Sequence, residues 1–333
     1  MSEEIQKADF NDLIKIIEES RANALKAVNK ELILMYWKVG MYLHNLVKNS
    51  SFGEKSIDKV AKFIKEKHPS LKGFNKRGLY RMKQFYETYA DDEFVSPLVT
   101  QISWTNHLLI MSGSKSKEER HFYLSMCITE KYSKRELERQ MDSAFFERYM
   151  LSTSTIFKPP VILSKDIRES LLDTYVLDFL NLPKHFNEND LRKEIVGNLK
   201  HFRLEFGKDF TFVGEEYKIE VGGQDFFIDL VFYHRKLRCL VPIELKTGKF
   251  KPEYIGQINF YLEALDRDVK KEDENPIVGL LLCTSKDDTV VEYALSRSMS
   301  QLMVSSYTLE LPDKSILERR LKEISNIAYQ CKD

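Results

Sequence analysis

The sequence predicts a mostly helical N-terminal domain followed by an α/β (α+β) layer domain, and three observations carry that expectation. Apolar residues in the first half recur at helical spacing, the stretch LSTSTIFKPPVILSKDI interrupts them, and from Phe210 onward the period falls to two. At 333 residues the chain suits two domains, and 43% apolar content lets each bury its own core. The Ser/Thr run and Pro pair place the boundary near 157, giving domains 1–156 and 157–333.

In the first domain Leu13, Ile17, Ala24, Val28, Leu32, Met35, Val39 and Tyr42 form the stripe of a buried helix expected over about 12 to 46. A second helix, about 55 to 67, stops before Pro69. Asn75 caps a third, about 76 to 90, which turns Leu79, Met82, Phe85 and Tyr89 inward. Ser116 with Glu119 and Ser133 with Glu136 have capping-box spacing and mark two more helix starts. After the boundary, helices are expected over about 166 to 181 and 188 to 206. A three-stranded meander then runs from Phe210 to Lys246, turning at Gly222-Gly223 and near Arg235 to Arg238. A helix over about 252 to 267, a strand over 277 to 284, a helix over 288 to 298, a strand over 302 to 309 and a helix from 313 complete the layers.

Charge and cysteine content exclude several classes. The 51 basic and 51 acidic residues cancel, so the whole-chain balance points to no polyanion. Residues 55 to 83 nevertheless carry ten Lys and Arg against Asp58 and Glu66. Lys72, Lys76, Arg77, Arg81 and Lys83 are the nucleic-acid candidates there, Arg77 and Arg81 lying one helical turn apart; a solvated Lys-rich helix face is the competing reading. No apolar run approaches ~18 residues and the N-terminus is acidic and amphipathic, so a cytoplasmic protein without membrane attachment is expected. Cys127, Cys239, Cys283 and Cys331 are scattered without C-x-x-C spacing, which fits reduced thiols and argues against a zinc site or disulfide frame.

The chemistry is expected in EEYKIEVGGQDFFIDLVFYHRKLRCLVPIELKTGKF. A two-residue Gly-Gly loop makes Val221 face Gln224, which carries Asp229 opposite Glu216. A next turn centred between Lys236 and Leu237 puts Asp229 opposite Glu244 as well. Lys246, two residues after Glu244, shares its face at roughly 6 to 7 Å, while Ile228, Leu230, Ile243 and Leu245 point to the other face as core. Carboxylates in contact raise one another's pKa unless a cation neutralises them, and Asp and Glu oxygens suit Mg²⁺ or Mn²⁺ with substrate phosphate completing the shell. That chemistry points to phosphodiester hydrolysis, with Lys246 orienting the nucleophile. Gln257 and Tyr261 share a face of the next helix, Lys249 and Lys251 are phosphate-contact candidates, and Glu194 on the preceding helix is a further candidate metal ligand. His234, beside a turn, reads as solvent-facing. The competing reading of the whole row is an exposed sheet face held by cross-strand ion pairs.

Asp229 on one strand and Glu244-Leu245-Lys246 on the next resemble the PD-(D/E)xK nuclease superfamily, and Gln257-Ile-Asn-Phe-Tyr261 resembles the Q-x-x-x-Y signature of some branches. The longer wording FFIDLVFYHRKLRCLVPIELKTGKFKPEYIGQINFYLEALD resembles the bacterial YhcG family nearly word for word. VNKELILMYWKVG, KGFNKRGLYRMKQFY and ISWTNH resemble that family's N-terminal domain. The resemblance implies a restriction-endonuclease-like core behind a winged-helix-like DNA-binding domain. It implies Asp229 and Glu244 as metal ligands, Lys246 as catalytic lysine, and Gln257 with Tyr261 at the active-site rim. Two positions depart from the family pattern: Glu216 stands where Gln is usual, and Arg192 where an acidic residue is usual. Glu216 then adds a ligand or tolerates exposure, and the helix carboxylate falls to Glu194 or is absent, which weakens the case for two metals and leaves one-metal cleavage open.

The function expected is an Mg²⁺- or Mn²⁺-dependent deoxyribonuclease, with a superfamily link to defence, mobile-element control or repair. A non-catalytic nucleic-acid-binding or scaffolding protein on a nuclease fold is the alternative, and an RNA-directed nuclease a third. The partners expected are DNA, a second copy of the chain through the first helix, and an accessory protein where the enzyme is inactive alone.

Overall fold

The computed structural model describes residues 2–49, 53–92, 98–153 and 164–330. They form two compact units, residues 1–138 and 139–333. The expected boundary at 156–157 lies outside the described residues, as does Cys331.

The first unit is built on α1 (Ser2–Asn49), α2 (Lys55–Lys67) and α3 (Lys76–Tyr89). A 3₁₀ turn at Val99–Gln101 leads to α4 (Trp104–Gly113), then α5 (Lys117–Glu130) and α6 (Lys134–Asp142) follow. The helix starts use the side chains the spacing called for. Asn75 accepts from the Gly78 N–H, Ser116 from Glu119, and Ser133 exchanges hydrogen bonds with Glu136 in a capping box. Leu43 of α1 packs with Ile57, Leu79 and Met82, Ile33 is fully buried, and Trp37, Phe85, Tyr89 and His107 meet edge to face. Gly40 sets the distance between α1 and α3, since a Cβ there would lie 2.2 Å from the Met82 carbonyl oxygen. Among the described residues of this unit there is no strand, so the wing that a winged helix adds is not among them.

One expectation for α1 fails. Leu13, Ile17, Ala24, Val28, Leu32, Met35 and Tyr42 of the expected stripe are exposed, not buried, because α1 docks through a neighbouring face that carries Ile33, Gly40 and Leu43.

The second unit adds α7 (Phe145–Thr153), α8 (Lys165–Ser170) and β1 (Thr174–Val176). The short helix and strand replace the single helix expected over 166 to 181. Thr174, Tyr175 and Val176 are strand formers, and β1 gains a parallel partner that local pattern does not reveal. Next come α9 (Glu188–Gly197) and α10 (Leu199–Phe206), parted at Asn198. The meander is β2 (Phe210–Val221), β3 (Gln224–His234) and β4 (Cys239–Leu245), followed by α11 (Tyr254–Asp268), β5 (Gly279–Cys283), α12 (Asp288–Leu295), β6 (Leu302–Thr308) and α13 (Lys314–Gln330).

The six strands form one sheet in the order β1-β6-β5-β4-β3-β2, antiparallel across β2, β3 and β4 and parallel from β4 to β1. Both turns have the expected register: Val221 faces Gln224, Tyr217 faces Ile228, and Leu230 faces Ile243. Successive residues Val231 and Phe232 point to opposite faces of β3. On one face Val231 and Leu281 pack with Ile258, Leu262 and Leu265 of α11. On the other, Phe232 stacks with Phe202 of α10, whose Phe206 stacks on Tyr175 at 3.9 Å. The sheet is therefore a buried middle layer, which suits the uninterrupted apolar text of β4 and β5. Cys127, Cys239 and Cys283 are buried free thiols, and burial raises them to about 12, 11 and 11.

A buried carboxylate ties residues 139–153 into this unit. Glu205 of α10, 1% exposed, accepts from Arg148 Nη1 at 2.5 Å, Arg139 Nη1 at 3.1 Å and the Val176 N–H at 2.8 Å. Arg139 also reaches Asp178 at 2.7 Å, and Arg148 donates to the Ser143 and Thr174 carbonyls. Removing one member of such a network leaves the others buried and uncompensated. Glu205→Gln should therefore destabilise the second unit by about 3 to 5 kcal/mol in denaturant unfolding. Gly40→Ala should lower the stability of the first unit by about 1 to 3 kcal/mol while leaving the second transition unchanged. Unchanged midpoints would contradict these two packing arguments.

Candidate active site

Asp229, Glu244 and Lys246 converge where β3 and β4 end their pairing. The register continues past Leu230↔Ile243 to bring Asp229 beside β4, where its Oδ2 accepts the Leu245 N–H at 2.9 Å. Lys246 Nζ donates to Glu244 Oε1 at 2.8 Å and sits 5.2 Å from the centre of the Tyr254 ring on α11. These side chains are largely withdrawn from water: Glu244 is 4% exposed, Lys246 13% and Asp229 19%. On α11, Gln257 Nε2 donates to the Tyr261 hydroxyl at 2.9 Å, and Tyr261 is close enough for its titration to respond to all three site charges. Tyr307 on β6 donates its hydroxyl to the Lys246 carbonyl at 3.3 Å, and the Lys246 N–H donates to Leu282 at 2.8 Å. The Lys246 backbone is thus pinned from two directions.

The electrostatics follow from that burial. Loss of water, then the Asp229 charge, push Glu244 up to about 7, against the pull of Lys246. Burial also raises Asp229, against the Leu245 N–H, Lys246 and Arg192. For Lys246, burial works to lower the pKa, but the hydrogen bond to Glu244 and the surrounding carboxylates outweigh it and hold the ammonium protonated.

The donor set fits a hard divalent cation. Glu244 Oε2 is buried with no hydrogen-bond partner, and Asp229 Oδ1 has the Arg192 guanidinium no nearer than 3.7 Å. Among the described residues no group of three or more Asp, Glu, His or Cys is arranged to hold a metal. The protein offers two carboxylates, which suits an Mg²⁺ or Mn²⁺ ion that takes its remaining ligands from water and phosphate.

Two expected ligands are elsewhere. Glu216 lies on β2 opposite the site as the register requires, but its backbone is left-handed (φ 43°). Its carboxylate is 61% exposed and pairs with Arg192 at 2.8 Å. Glu194 accepts from the Asn181 N–H at 3.0 Å and from Asn198, fastening the loop before α9 instead of facing the carboxylates. The helix residues that do face the site are Glu188 and Arg192, one turn apart on α9. The Glu188 charge acts on Asp229, Glu244, Lys246 and Tyr307, and the Arg192 guanidinium stands between Asp229 and Glu216. Glu188 follows the capping residue Asn187 and reads in sequence as an ordinary first-turn acid. A test of i, i+4 partners for Arg192 was the signal available. His234 is 3% exposed, not solvent-facing; its Nδ1 accepts the Leu237 N–H at 3.1 Å, and burial lowers it to about 4.

Among the basic candidates, Lys249 and Lys251 are exposed just beyond β4. In the first unit Lys72 and Arg77 are exposed and Arg81 is half-buried. Lys76 is exposed but paired with Asp58 at 2.8 Å. Lys83 is the exception: 12% exposed and clamped between Glu54 and Glu87 at 3.0 and 2.8 Å, it braces α3 and is not free for phosphate.

Both parts of the chain match known protein families. Residues 168–322 match the YhcG PDDEXK nuclease domain, and residues 12–148 match the DUF1016 N-terminal domain. The chain is 28% identical over 347 residues to "Putative nuclease YhcG" of Escherichia coli (strain K12), an alignment covering 93% of this chain and 92% of that one. Among solved structures, the crystal structure of a repair endonuclease from Pyrococcus abyssi aligns at 17% identity with a TM-score of 0.27, over 39% of this chain and 50% of that one. The C-terminal unit, with Asp229, Glu244 and Lys246 at its centre, thus matches the YhcG PDDEXK nuclease domain, behind a region that matches the DUF1016 N-terminal domain.

Proposed function

We propose that this protein is an Mg²⁺- or Mn²⁺-dependent deoxyribonuclease in which residues 157–333 hydrolyse the phosphodiester and residues 1–156 bind DNA. The observation that carries the metal-dependent reading is the unpartnered Glu244 Oε2, buried beside Asp229 and the protonated Lys246. Asp229 and Glu244 would hold the cation, which supplies Lewis-acid polarisation of the phosphate and a water of lowered pKa.

The protein groups have separate tasks. The Lys246 ammonium, held protonated by its carboxylate neighbours, serves as a donor that orients the attacking water and balances charge on the phosphoryl oxygens, not as a general base. The Tyr254 ring and the Tyr307 hydroxyl keep that ammonium and its backbone in place. Gln257 is exposed beside buried Tyr261, so its amide is placed to meet the substrate at the rim. Lys249, Lys251, Lys72 and Arg77 are the exposed phosphate contacts, and their contribution should fade with added salt.

Plasmid, linear, single-stranded and branched DNA and single-stranded RNA, each with Mg²⁺, Mn²⁺ or EDTA, separate the readings. Cation-dependent DNA cleavage is expected, with Asp229→Ala and Lys246→Met reducing the rate at least about a hundredfold while leaving the melting temperature within a few degrees. Preferential RNA cleavage would overturn the DNA assignment, and cation-independent or variant-insensitive cleavage would overturn the site.

A second expectation concerns pH. The folded-state pKa of Glu244, about 7, lies above its ordinary 4.5, so the cation-free folded state binds the extra proton. Its stability should fall as pH rises from 4.5 through about 7. Glu244→Gln cannot ionise, so in EDTA its thermal midpoint should exceed that of the parent at alkaline pH, with the gap closing on acidification. Midpoints that differ equally at all pH values would show that Glu244 carries no such penalty.

A further inference from the structure

We propose that the groove between the start of α11 and α12 holds an unstacked nucleobase of the substrate against the Tyr293 ring, which directs the site to single-stranded or unpaired DNA. The inference rests on the deoxyribonuclease reading and deepens it.

The fold puts this groove beside the candidate active site. β4 and β5 run parallel with Glu244 paired to Leu281, so both strands deliver the chain to the end of the sheet where Lys246 stands. Paired residues share a face, and Leu281 belongs to the core that holds Val291 and Leu295 of α12 with Ile255 and Ile258 of α11. Both helices therefore lie on the face that carries Glu244, and both begin at the Lys246 end. α11 opens with Tyr254, whose ring lies 5.2 Å from the Lys246 ammonium. Pro252, two residues earlier and so within ~7 Å of Tyr254 from Cα to Cα, forms one wall of the groove. Thr289, Val290, Tyr293 and Ala294 of α12 form the rest, around a space of about 500 Å³, ample for a base. The carboxyl ends of parallel strands are where sheets of this kind receive ligands.

The lining suits a base and the surrounding charge suits its strand. Tyr293 is 77% exposed, and its ring has no aromatic partner among the described residues. A free aromatic face flanked by Val290 and Pro252 offers stacking and dispersion to any base, since every base has a π-face. Lys249 and Lys251 precede Pro252 by three residues and one, Lys249 being held beside Ser285 at the foot of α12, and Arg297 follows Tyr293 by four. All three are exposed, and Lys249 and Arg297 have no ion pair among the described residues. The acids close by are already engaged: Asp287 accepts the Val290 N–H, Asp288 pairs with Lys286 at 2.9 Å, and Glu253 pairs with Lys251 at 3.7 Å. Glu292 is turned about 130° away from the mean direction of the four groove residues of α12, at 100° per residue. Inside a duplex both faces of a base are covered by its neighbours, so a base reaches Tyr293 only when it is out of the stack.

Fluorescence anisotropy of a labelled single-stranded DNA of mixed sequence with the full chain, in EDTA so that no strand is cut, tests this. Tyr293→Ala should raise the Kd about tenfold, and Tyr293→Trp should hold it within about twofold of the parent. The melting temperature should be the same in all three proteins, since the side chain is exposed. A strand of abasic sugar phosphates, which offers the charge without the base, should not distinguish Tyr293→Ala from the parent, nor should a covalently closed duplex plasmid used as competitor. An unchanged Kd in Tyr293→Ala, a loss that the abasic strand or the closed duplex shares, or a parent that does not bind the single strand overturns the proposal. The nuclease reading is scored separately, by cleavage with Mg²⁺ or Mn²⁺. Cleavage lost in Asp229→Ala, together with any of those binding results, leaves the nuclease standing and removes the groove from it. No cleavage of any DNA by the parent overturns both.

Discussion

Two carboxylates share a pocket from which the fold has removed most of the water, and the single ammonium present satisfies one oxygen of one of them. That imbalance organises the second unit. Glu244 and Asp229 are brought together by strand pairing that the rest of the sheet enforces, so neither relaxes toward solvent to relieve the repulsion. The result is a pair of carboxylates whose charges are penalised by burial and whose chemistry would suit a small hard cation. Affinity for such a cation would share one origin with the stability cost of the pair, the desolvation of Glu244.

The scaffold around this pocket is correspondingly redundant. The sheet is covered by α11 on one face and by the aromatic stack of α10 on the other, which places the end of β4 in a rigid layer. The Glu205 network fastens β1 and the residues from Arg139 to α10, so the strands beneath the site have a fixed edge. Arg192 and Glu188 form an additional layer on α9. The cation at Arg192 offsets the extra acid of Glu216, whose left-handed backbone aims it at that guanidinium. Arg192 and Glu216 therefore answer each other in charge beside Asp229.

Much of this was legible in the sequence, for reasons that can be named. Gly222-Gly223 permits the tight turn and thereby sets the β2–β3 register, and the next turn sets β3–β4, so the meeting of Asp229 with the Glu244 strand followed from counting. Capping side chains marked α3, α5 and α6 because their local hydrogen bonds do not depend on tertiary contacts. What was not legible depends on such contacts. Strand β1 exists through a partner more than a hundred residues away, and Glu194 and Glu188 are indistinguishable as helix acids until the rotation of α9 against β4 is known. The apolar stripe of α1 reads as core because periodicity reports an apolar face and not what covers it. His234 looked like a turn residue because its burial comes from Phe210, two strands' length away along the chain.

Titration calorimetry of Mn²⁺ into the cation-stripped full chain tests the central claim most directly, because it reads the carboxylate pair without requiring a substrate. Near neutral pH the protein should bind Mn²⁺ with release of protons, since Glu244 is partly protonated when the site is empty, and Glu244→Gln should abolish both the binding and the release. Binding of equal strength in Glu244→Gln, or no binding by the parent protein, would contradict the account of Asp229 and Glu244 as a desolvated pair awaiting a cation.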